Sequence, residues 1–277
     1  MDINNYLKIF FEEDVKEGDH TSLATIPATA ERKARLIVKD SGVIAGVEVA
    51  KQVFAFVDEK LKIETYIEDG SEVKHGDIAF VIKGSAQSIL KAERIMLNLM
   101  QRMSGIATKS KKYADVVKDL SVKILDTRKT TPGIRYFEKL AVTIGGCHNH
   151  RMGLYDMIMI KDNHHDYAGG ILKAIERTNE YLTQNKLNLK VEIEVRNLEE
   201  LKLVIEEGSV DRIMLDNFSP QQIIEALALM PAKFETEASG GITLETLRAY
   251  AETGVQYISV GALTHSVKSL DMSLKAF

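Results

Sequence analysis

Residues 191–195 read Val191-Glu192-Ile193-Glu194-Val195. Side chains alternate faces along a strand, so the three β-branched residues share one face and the two glutamates share the other. A helical pattern follows directly over residues 198–207. Such a unit belongs to a sheet whose outer face is covered by helices and whose inner face carries polar groups. The same alternation extends in both directions. Strands are predicted over residues 122–126, 157–161, 191–195, 213–216, 234–238 and 257–260. The clearest helices between and after them cover residues 169–182, 198–207, 220–229 and 244–253. Strand alternating with helix implies a parallel sheet. Six units curl into a barrel that falls short of the usual eight; an open doubly wound sheet is the competing arrangement. Strand parity favours the barrel. Asp126 shares a face with Arg128, Met157 and Met159 with Lys161, Met214 with Asp216, and Glu235 and Glu237 with Ser239. These functional groups fall at strand C-termini, where α/β barrels build their sites.

The first hundred residues have a different texture. Strands are predicted over residues 35–39 and 42–45 around a turn at Asp40-Ser41. Two more, over 61–67 and 78–83, are separated by Asp69-Gly70 and His75-Gly76-Asp77. Residues 88–103 read as a helix with apolar positions at Ile89, Leu90, Ile95, Met96, Leu97, Leu99, Met100 and Met103. That band is wider than one stripe, which predicts burial on more than one side.

The chain has 277 residues, 45% of them hydrophobic and 27% charged, which suffices for one large core or a large and a small one. A formal net charge of -4 gives no general reason to expect nucleic acid or a membrane surface as partner. No apolar run approaches the length of a membrane span. The single cysteine, Cys147, excludes an internal disulfide and fits a reducing compartment. The start of the chain lacks the pattern of a signal peptide. A cytoplasmic globular protein is the expectation.

Six constellations stand out. The loop Asp126-Thr127-Arg128-Lys129-Thr130-Thr131-Pro132-Gly133-Ile134-Arg135 ends a predicted strand, and Pro-Gly forces a turn. From Arg128 to Lys161 the cations are Arg128, Lys129, Arg135, Lys139, Arg151 and Lys161, against only Glu138 and Asp156. A basic pocket in an acidic protein points to an anionic ligand, and arginine forks grip carboxylates and phosphates bidentately. A solvated basic loop is the bland alternative. In the run Gly145-Gly146-Cys147-His148-Asn149-His150-Arg151, no ligand set completes a tetrahedral zinc site. His164-His165-Asp166 is a similarly weak metal signal, more consistent with helix capping. Lys161, at a strand end, reads either as a Schiff-base nucleophile or as a fixed cation; a dianionic ligand accounts for all the cations together. Glu194 and Asp216 supply hard oxygen ligands suited to Mg²⁺, directly or through water; the alternative is pairing with Arg128 or Lys161. Finally, Ser239-Gly240-Gly241 precedes a predicted helix, and Ser259-Val260-Gly261 ends the last strand. Both present backbone N–H groups to a phosphate. Glu93-Arg94, inside the apolar helix, reads from the residues alone as a structural ion pair.

In sum these motifs resemble the quinolinate phosphoribosyltransferase family. The similarity runs through Glu13-Asp14, Gly18-Asp19-His20-Thr21, Ala92-Glu93-Arg94, Leu97-Asn98 and Ser104-Gly105-Ile106-Ala107-Thr108. It continues through the 126–135 loop, His150-Arg151, Lys161-Asp162-Asn163-His164, Glu192 with Glu194, Leu215-Asp216-Asn217, Ser239-Gly240-Gly241 and Gly261. The resemblance implies an N-terminal α/β sandwich domain over residues 1–105, including a dimer-interface helix. It also implies an incomplete, open α/β barrel over residues 106–277. It implies that Arg128, Lys129, His150, Arg151 and Lys161 hold quinolinate, with Arg94 reaching the neighbouring subunit's site in a homodimer. Glu194 and Asp216 would face the ribose, pyrophosphate and Mg²⁺ of phosphoribosyl pyrophosphate. Ser239, Gly240, Gly241, Gly261 and His265 would cradle its 5′-phosphate. Lys129, Lys161, Glu194 and Asp216 are the implied catalytic residues. Cys147 departs from the pattern, standing where the family often has a third glycine, and no catalytic role is expected of it.

The implied reaction joins the pyridine nitrogen to ribose C1, with loss of pyrophosphate and CO₂, in NAD biosynthesis. Rival readings are a phosphoribosyltransferase for nicotinate or a molybdenum-related paralogue, a Schiff-base lyase using Lys161, and a carrier module. The stretch from Glu68 to Asp77 resembles a biotinyl-domain strand pair but lacks the Met-Lys-Met modification site, so it reads as scaffold.

Overall fold

The computed structural model describes residues 2–277; Met1, the first residue of the expected N-terminal domain, lies outside them. In chain order the elements are α1 (Ile3–Asp14), α2 (His20–Thr25), β1 (Glu31–Val38), β2 (Gly42–Val43), α3 (Val47–Val57), β3 (Lys62–Thr65), β4 (Glu72–Val73), β5 (Ile78–Ser85) and α4 (Ala86–Val116). Then follow β6 (Lys123–Leu125), α5 (Arg135–Ile144), β7 (Ile158–Ile160), α6 (Asp162–Ala168), α7 (Ile171–Asn185), β8 (Val191–Val195), α8 (Leu198–Glu207), β9 (Arg212–Asp216) and α9 (Pro220–Leu229). The chain ends with β10 (Glu235–Ser239), α10 (Leu247–Ala251), β11 (Tyr257–Ser259), α11 (Ala262–His265) and β12 (Met272–Ala276). No helix among the described residues is long and apolar enough to cross a membrane.

Two compact units result. One comprises Met1–Lys111, Thr130–Gly146 and Thr264–Phe277; the other comprises Lys112–Lys129 and Cys147–Leu263. The division is not a single cut. A boundary after residue 105 falls inside α4, and the first unit also takes in the helix α5 and the C-terminal strand.

The first unit holds an antiparallel sheet in the order β12-β1-β5-β3. Leu36 on β1 stands opposite Phe80 on β5 and Leu274 on β12, and all three are buried. The final strand therefore completes a sheet begun at residue 31, a long-range pairing that local patterning does not announce. The strands expected on either side of Asp40-Ser41 do not pair with each other. β1 pairs with β5 and β12, whereas β2 pairs with β4. The helix α4 buries Ile89, Ala92, Ile95, Met96, Leu97, Leu99, Met100, Met103, Ile106 and Ala107, a band wider than one stripe as expected, although Leu90 of the predicted band is exposed beside Lys91, Arg94 and Asn98.

The second unit is built on the six-stranded parallel sheet β6-β11-β10-β9-β8-β7. The first strand pairs with the last, so the two edges are β6 and β7, consecutive in the chain. An open barrel is the consequence, and its gap lies between these edges, where Leu125 and His148 form an isolated parallel bridge. Capping fixes the helices that follow the strands. Asn197 accepts the Glu200 N–H at 2.9 Å, and Gly208 closes α8 in the left-handed region. Ser219 accepts the Gln222 N–H, with Pro220 as the first helical residue.

Candidate active site

In the second unit the strand parity read from the sequence becomes geometry. The residue after β7, Lys161, places its Nζ 2.7 Å from Glu194 Oε2 on β8. Asp216 ends β9 directly opposite Ser239, which ends β10. Burial, and next the charge of Glu194, hold the Asp216 carboxyl above the usual carboxylate range; Lys161 and hydrogen bonds from Ser239 and Asn217 oppose them. Two carboxylates and one ammonium thus share the C-terminal edge of the sheet. The expected alternative for Glu194, pairing with Lys161, is realised.

The loop after β9 and the loop after β10 are interlocked. Asn217 adopts a left-handed backbone with φ 58°, and its N–H donates to Ser239 O at 2.8 Å. Gly240 has φ 100°, and a Cβ there would stand 2.2 Å from Asn217 Oδ1. Only glycine meets both conditions. Beside Gly241, at φ 60°, a Cβ would meet no atom within 4 Å. The helix expected from residue 244 begins only at Leu247. The Thr246 hydroxyl accepts the Thr243 N–H at 3.0 Å and holds the intervening residues as a turn. Any phosphate contact in this loop is therefore made by turn N–H groups rather than by a helix beginning at residue 244.

The cations gather at the other side of the same edge. Arg151 donates to Met157 O at 3.1 Å. Its guanidinium is held below its usual range by burial and next by the charge of Arg128, so the two arginines stand close enough to repel. Arg128 and Lys129 are exposed on the loop after β6, and the Lys129 N–H donates to Thr127 Oγ1 at 3.0 Å. His164 caps α6, its Nδ1 accepting the Lys161 N–H at 2.8 Å. Cys147 is buried, and burial pushes its thiol up to about 12, which leaves it protonated and unreactive.

His150 points elsewhere than a substrate-facing residue would. Its N–H donates to Asp126 Oδ1 at 2.8 Å, and its ring Nε2 lies 3.0 Å from Glu192 and 3.4 Å from Glu237, both fully buried. Arg212 closes the group, 3.0 Å from Glu237 and 2.8 Å from Glu235, with its guanidinium 4.0 Å from the centre of the Tyr257 ring. Lys190 takes the other Glu235 oxygen at 2.7 Å. Glu192, Glu235 and Glu237 face Arg212, Lys190 and the His150 ring; burial, and next the Glu237 charge, push Glu192 up to about 7, while contact with Glu192 and Glu237 favours an imidazolium at His150. The Arg151 N–H, 2.6 Å from Nδ1, suits the neutral ring instead. Burial also favours that form, but hydrogen bonds to Glu192 and Glu237 outweigh it and push the ring up to about 9. His150, Glu192 and Glu237 are the one group of three among the described residues spaced to hold a metal ion. Arg212 already occupies the Glu237 carboxylate, which argues for a charge network instead.

The first unit carries the two remaining expected residues. Arg94 is exposed on α4 and lines a cleft of about 200 Å³ with Phe10, Glu13, Asp14, Asn98 and Phe137. Glu93 is half-buried, and burial holds its carboxyl above the usual range despite Arg94 and Lys275. His265 ends α11, with Nδ1 2.7 Å from Ser266 Oγ. Gly261, in the second unit, follows β11 directly.

Residues 106–275 match the family described as "Quinolinate phosphoribosyl transferase, C-terminal domain", and residues 19–104 match its N-terminal domain. The chain belongs to the quinolinate phosphoribosyltransferase family. Among relatives, "Quinolinate phosphoribosyltransferase [decarboxylating] 2b, mitochondrial" of Nicotiana tabacum is 47% identical, covering 99% of this chain and 82% of its own. "Probable nicotinate-nucleotide pyrophosphorylase [carboxylating]" of Bacillus subtilis (strain 168) is 44% identical, covering 99% and 93%. The crystal structure of NadC from Streptococcus pyogenes superposes with a TM-score of 0.91 at 39% identity, covering 99% of this chain and 95% of that one. For a quinolinate phosphoribosyltransferase family member, the barrel-floor network of Glu192, Arg212 and Glu237 is the feature that motif reading alone passed over. Part of its signal was present: Glu192 and Glu237 lie within strands on the inward parity and must find partners to be buried, whereas Arg212 opens β9, one residue before the predicted strand.

Proposed function

We propose that this chain transfers the phosphoribosyl group of phosphoribosyl pyrophosphate to quinolinate, giving nicotinate mononucleotide, pyrophosphate and CO₂ in NAD biosynthesis. The observation that carries the reading is the gathering of cations, Arg151 with Arg128 nearby and Lys161, at the sheet edge that also presents Glu194 and Asp216. Neighbouring arginine forks suit a ligand with two adjacent carboxylates, which quinolinate has and nicotinate lacks.

The chemistry needs little proton transfer. The pyridine nitrogen donates its lone pair to ribose C1 as the bond from C1 to pyrophosphate breaks, and the leaving group takes that electron pair. The quaternary ring then accepts the electrons released when the neighbouring carboxylate departs as CO₂, and a proton takes its place on the ring carbon. Lys129, Lys161, Arg128 and Arg151 orient the dicarboxylate. Glu194 and Asp216 oppose the positive charge developing on the sugar. Ser239, Gly240, Gly241, Gly261 and His265 receive the 5′-phosphate, and the open space beside Gly241 supports that placement. His150 acts from behind, fixing the chain that carries Arg151.

Glu194 and Asp216 also fit Mg²⁺. They are hard oxygen donors whose mutual repulsion, visible at Asp216, a cation relieves. Mg²⁺, when bound, offsets the charge of the pyrophosphate. We further propose a cytoplasmic homodimer in which Arg94 serves the neighbouring subunit's site; the exposure of Arg94 at a partly apolar cleft supports this. The Schiff-base alternative is disfavoured because the Lys161 Nζ is engaged by Glu194 at 2.7 Å rather than standing free in an apolar pocket.

The test is a comparison of quinolinate with nicotinate as acceptor, with Mg²⁺ and phosphoribosyl pyrophosphate present. Mononucleotide from quinolinate alone supports the proposal. Product from nicotinate at a comparable rate, or a lysine adduct trapped by borohydride, refutes it.

A further inference from the structure

Glu138, near the start of α5, is fully buried, yet its carboxylate is surrounded by donors. Arg102 on α4 approaches Oε1 with Nε at 2.9 Å and Nη2 at 2.8 Å. Thr131 donates its hydroxyl to Oε1 at 2.8 Å and its N–H to Oε2 at 3.0 Å. The same guanidinium also reaches the opposite way. Nη2 donates to Thr264 O at 2.6 Å and Nη1 to Val267 O at 3.3 Å. One arginine–carboxylate pair therefore holds both the loop at Thr131 and the segment from the end of α11 to Val267.

Both segments matter to the proposed site. Thr131 follows Lys129 by two residues and Arg128 by three, and Thr264 and Val267 bracket His265. Neither segment is held by a sheet ladder. Side chains do that work: Arg135 Nε donates to Thr130 Oγ1 at 2.9 Å, and Lys109 Nζ donates to Ser266 O at 2.8 Å. Ordering a free loop costs about 1–2 kcal/mol per residue in backbone entropy, a cost that falls on binding unless the loop is fixed beforehand. Arginine suits the task because its planar fork can donate in several directions at once, which a lysine ammonium on a flexible stem cannot reproduce.

We infer that Arg102 and Glu138 are a positioning pair that orders the dicarboxylate loop and the His265 segment from a single point, so that both substrate-binding loops are set together. This rests on the site roles proposed above.

Steady-state kinetics of Arg102→Lys and Thr131→Val, with each substrate varied in turn and thermal melting alongside, test it. Arg102→Lys keeps the charge but loses the fork. It is expected to raise KM for both quinolinate and phosphoribosyl pyrophosphate about tenfold or more, with kcat per folded enzyme changed less than about threefold. Thr131→Val frees only the dicarboxylate loop and is expected to raise KM for quinolinate alone. A pair that only supports the fold would lower the folded fraction, and hence kcat, at unmoved KM. That result, or a rise in one KM only for Arg102→Lys, overturns the inference. Should Arg102→Lys fail to fold, an unmoved quinolinate KM in Thr131→Val overturns it. Arg128→Ala is measured in parallel. If it leaves the quinolinate KM unmoved, the site roles are wrong and the inference falls with them. If it raises that KM while Arg102→Lys does not, only the pairing is wrong.

Discussion

Lys161 Nζ and Glu194 Oε2 stand 2.7 Å apart across neighbouring parallel strands, and burial, with the Glu194 charge next, holds Asp216 above its usual range. One ammonium thus offsets two carboxylates. Removing it leaves an uncompensated anionic pair and, under the proposed function, removes a cation for the dicarboxylate. Lys161→Ala is expected to lower kcat/KM for quinolinate by about 10²–10³. Circular dichroism and melting should report an intact fold, since the Lys161 side chain is 43% exposed. Activity within threefold of the unaltered enzyme would contradict the assignment.

The placement of Arg151 near Arg128 predicts what its removal does to acceptor binding. Arg151→Ala removes one fork from the proposed two-carboxylate site. Quinolinate affinity, measured calorimetrically, should fall by about 10²-fold or more, because a charge-assisted contact contributes about 3 kcal/mol. Arg151→Lys should restore only part of it, since an ammonium cannot make the bidentate contact. Full restoration by lysine would mean that charge alone matters here.

Gly240 is constrained twice, by φ 100° and by Asn217 Oδ1 2.2 Å from where a Cβ would lie. Gly240→Ala should destabilise the chain by about 1–3 kcal/mol and raise KM for phosphoribosyl pyrophosphate while sparing that for quinolinate. Gly241→Ala carries backbone strain at φ 60° but no clash. Its melting temperature should lie between those of Gly240→Ala and the unaltered chain. Denaturant unfolding and two-substrate kinetics check both expectations.

The His150 ring has its ordinary value of 6.5 raised to about 9 by the Glu192 and Glu237 carboxylates against the opposing effect of burial. A group whose folded value is raised binds its proton more tightly in the folded state. Its contribution is therefore complete below pH 6.5 and is lost as pH rises through about 9. Unfolding free energy should decline across that window, and His150→Gln should flatten the decline. A stability curve that is level from pH 6.5 to 9 would show that the ring is neutral, as the neighbouring Arg151 N–H would have it.

Much of this architecture was legible because its determinants are local. All six barrel strands were identified from alternation and strand–helix succession. The helices over Leu198–Glu207 and Pro220–Leu229 matched to the residue, because Asn197, Gly208, Ser219 and Pro220 are explicit start and stop signals. The helix predicted from residue 244 starts later because the Thr246 hydroxyl captures the Thr243 N–H, a competition that propensity does not reveal. The pairing of β12 with β1 joins the two ends of the chain, and no local pattern encodes it. At the site, the cation cluster and the strand-end carboxylates were readable from spacing. The inward turn of His150 was not, because it depends on Glu192 and Glu237 from two other strands. Arg102 and Glu138 escaped notice because each looks like an ordinary helical charge until the fold brings Thr131 and Thr264 to them.

The most direct test of the account is the stoichiometry of turnover with quinolinate labelled in the carboxylate next to the ring nitrogen, in the presence of Mg²⁺ and phosphoribosyl pyrophosphate. The account predicts that labelled CO₂, nicotinate mononucleotide and pyrophosphate appear in equal amounts, and that no label is released when phosphoribosyl pyrophosphate is withheld. Release of CO₂ without phosphoribosyl pyrophosphate, or a mononucleotide that keeps both carboxylates, would contradict it.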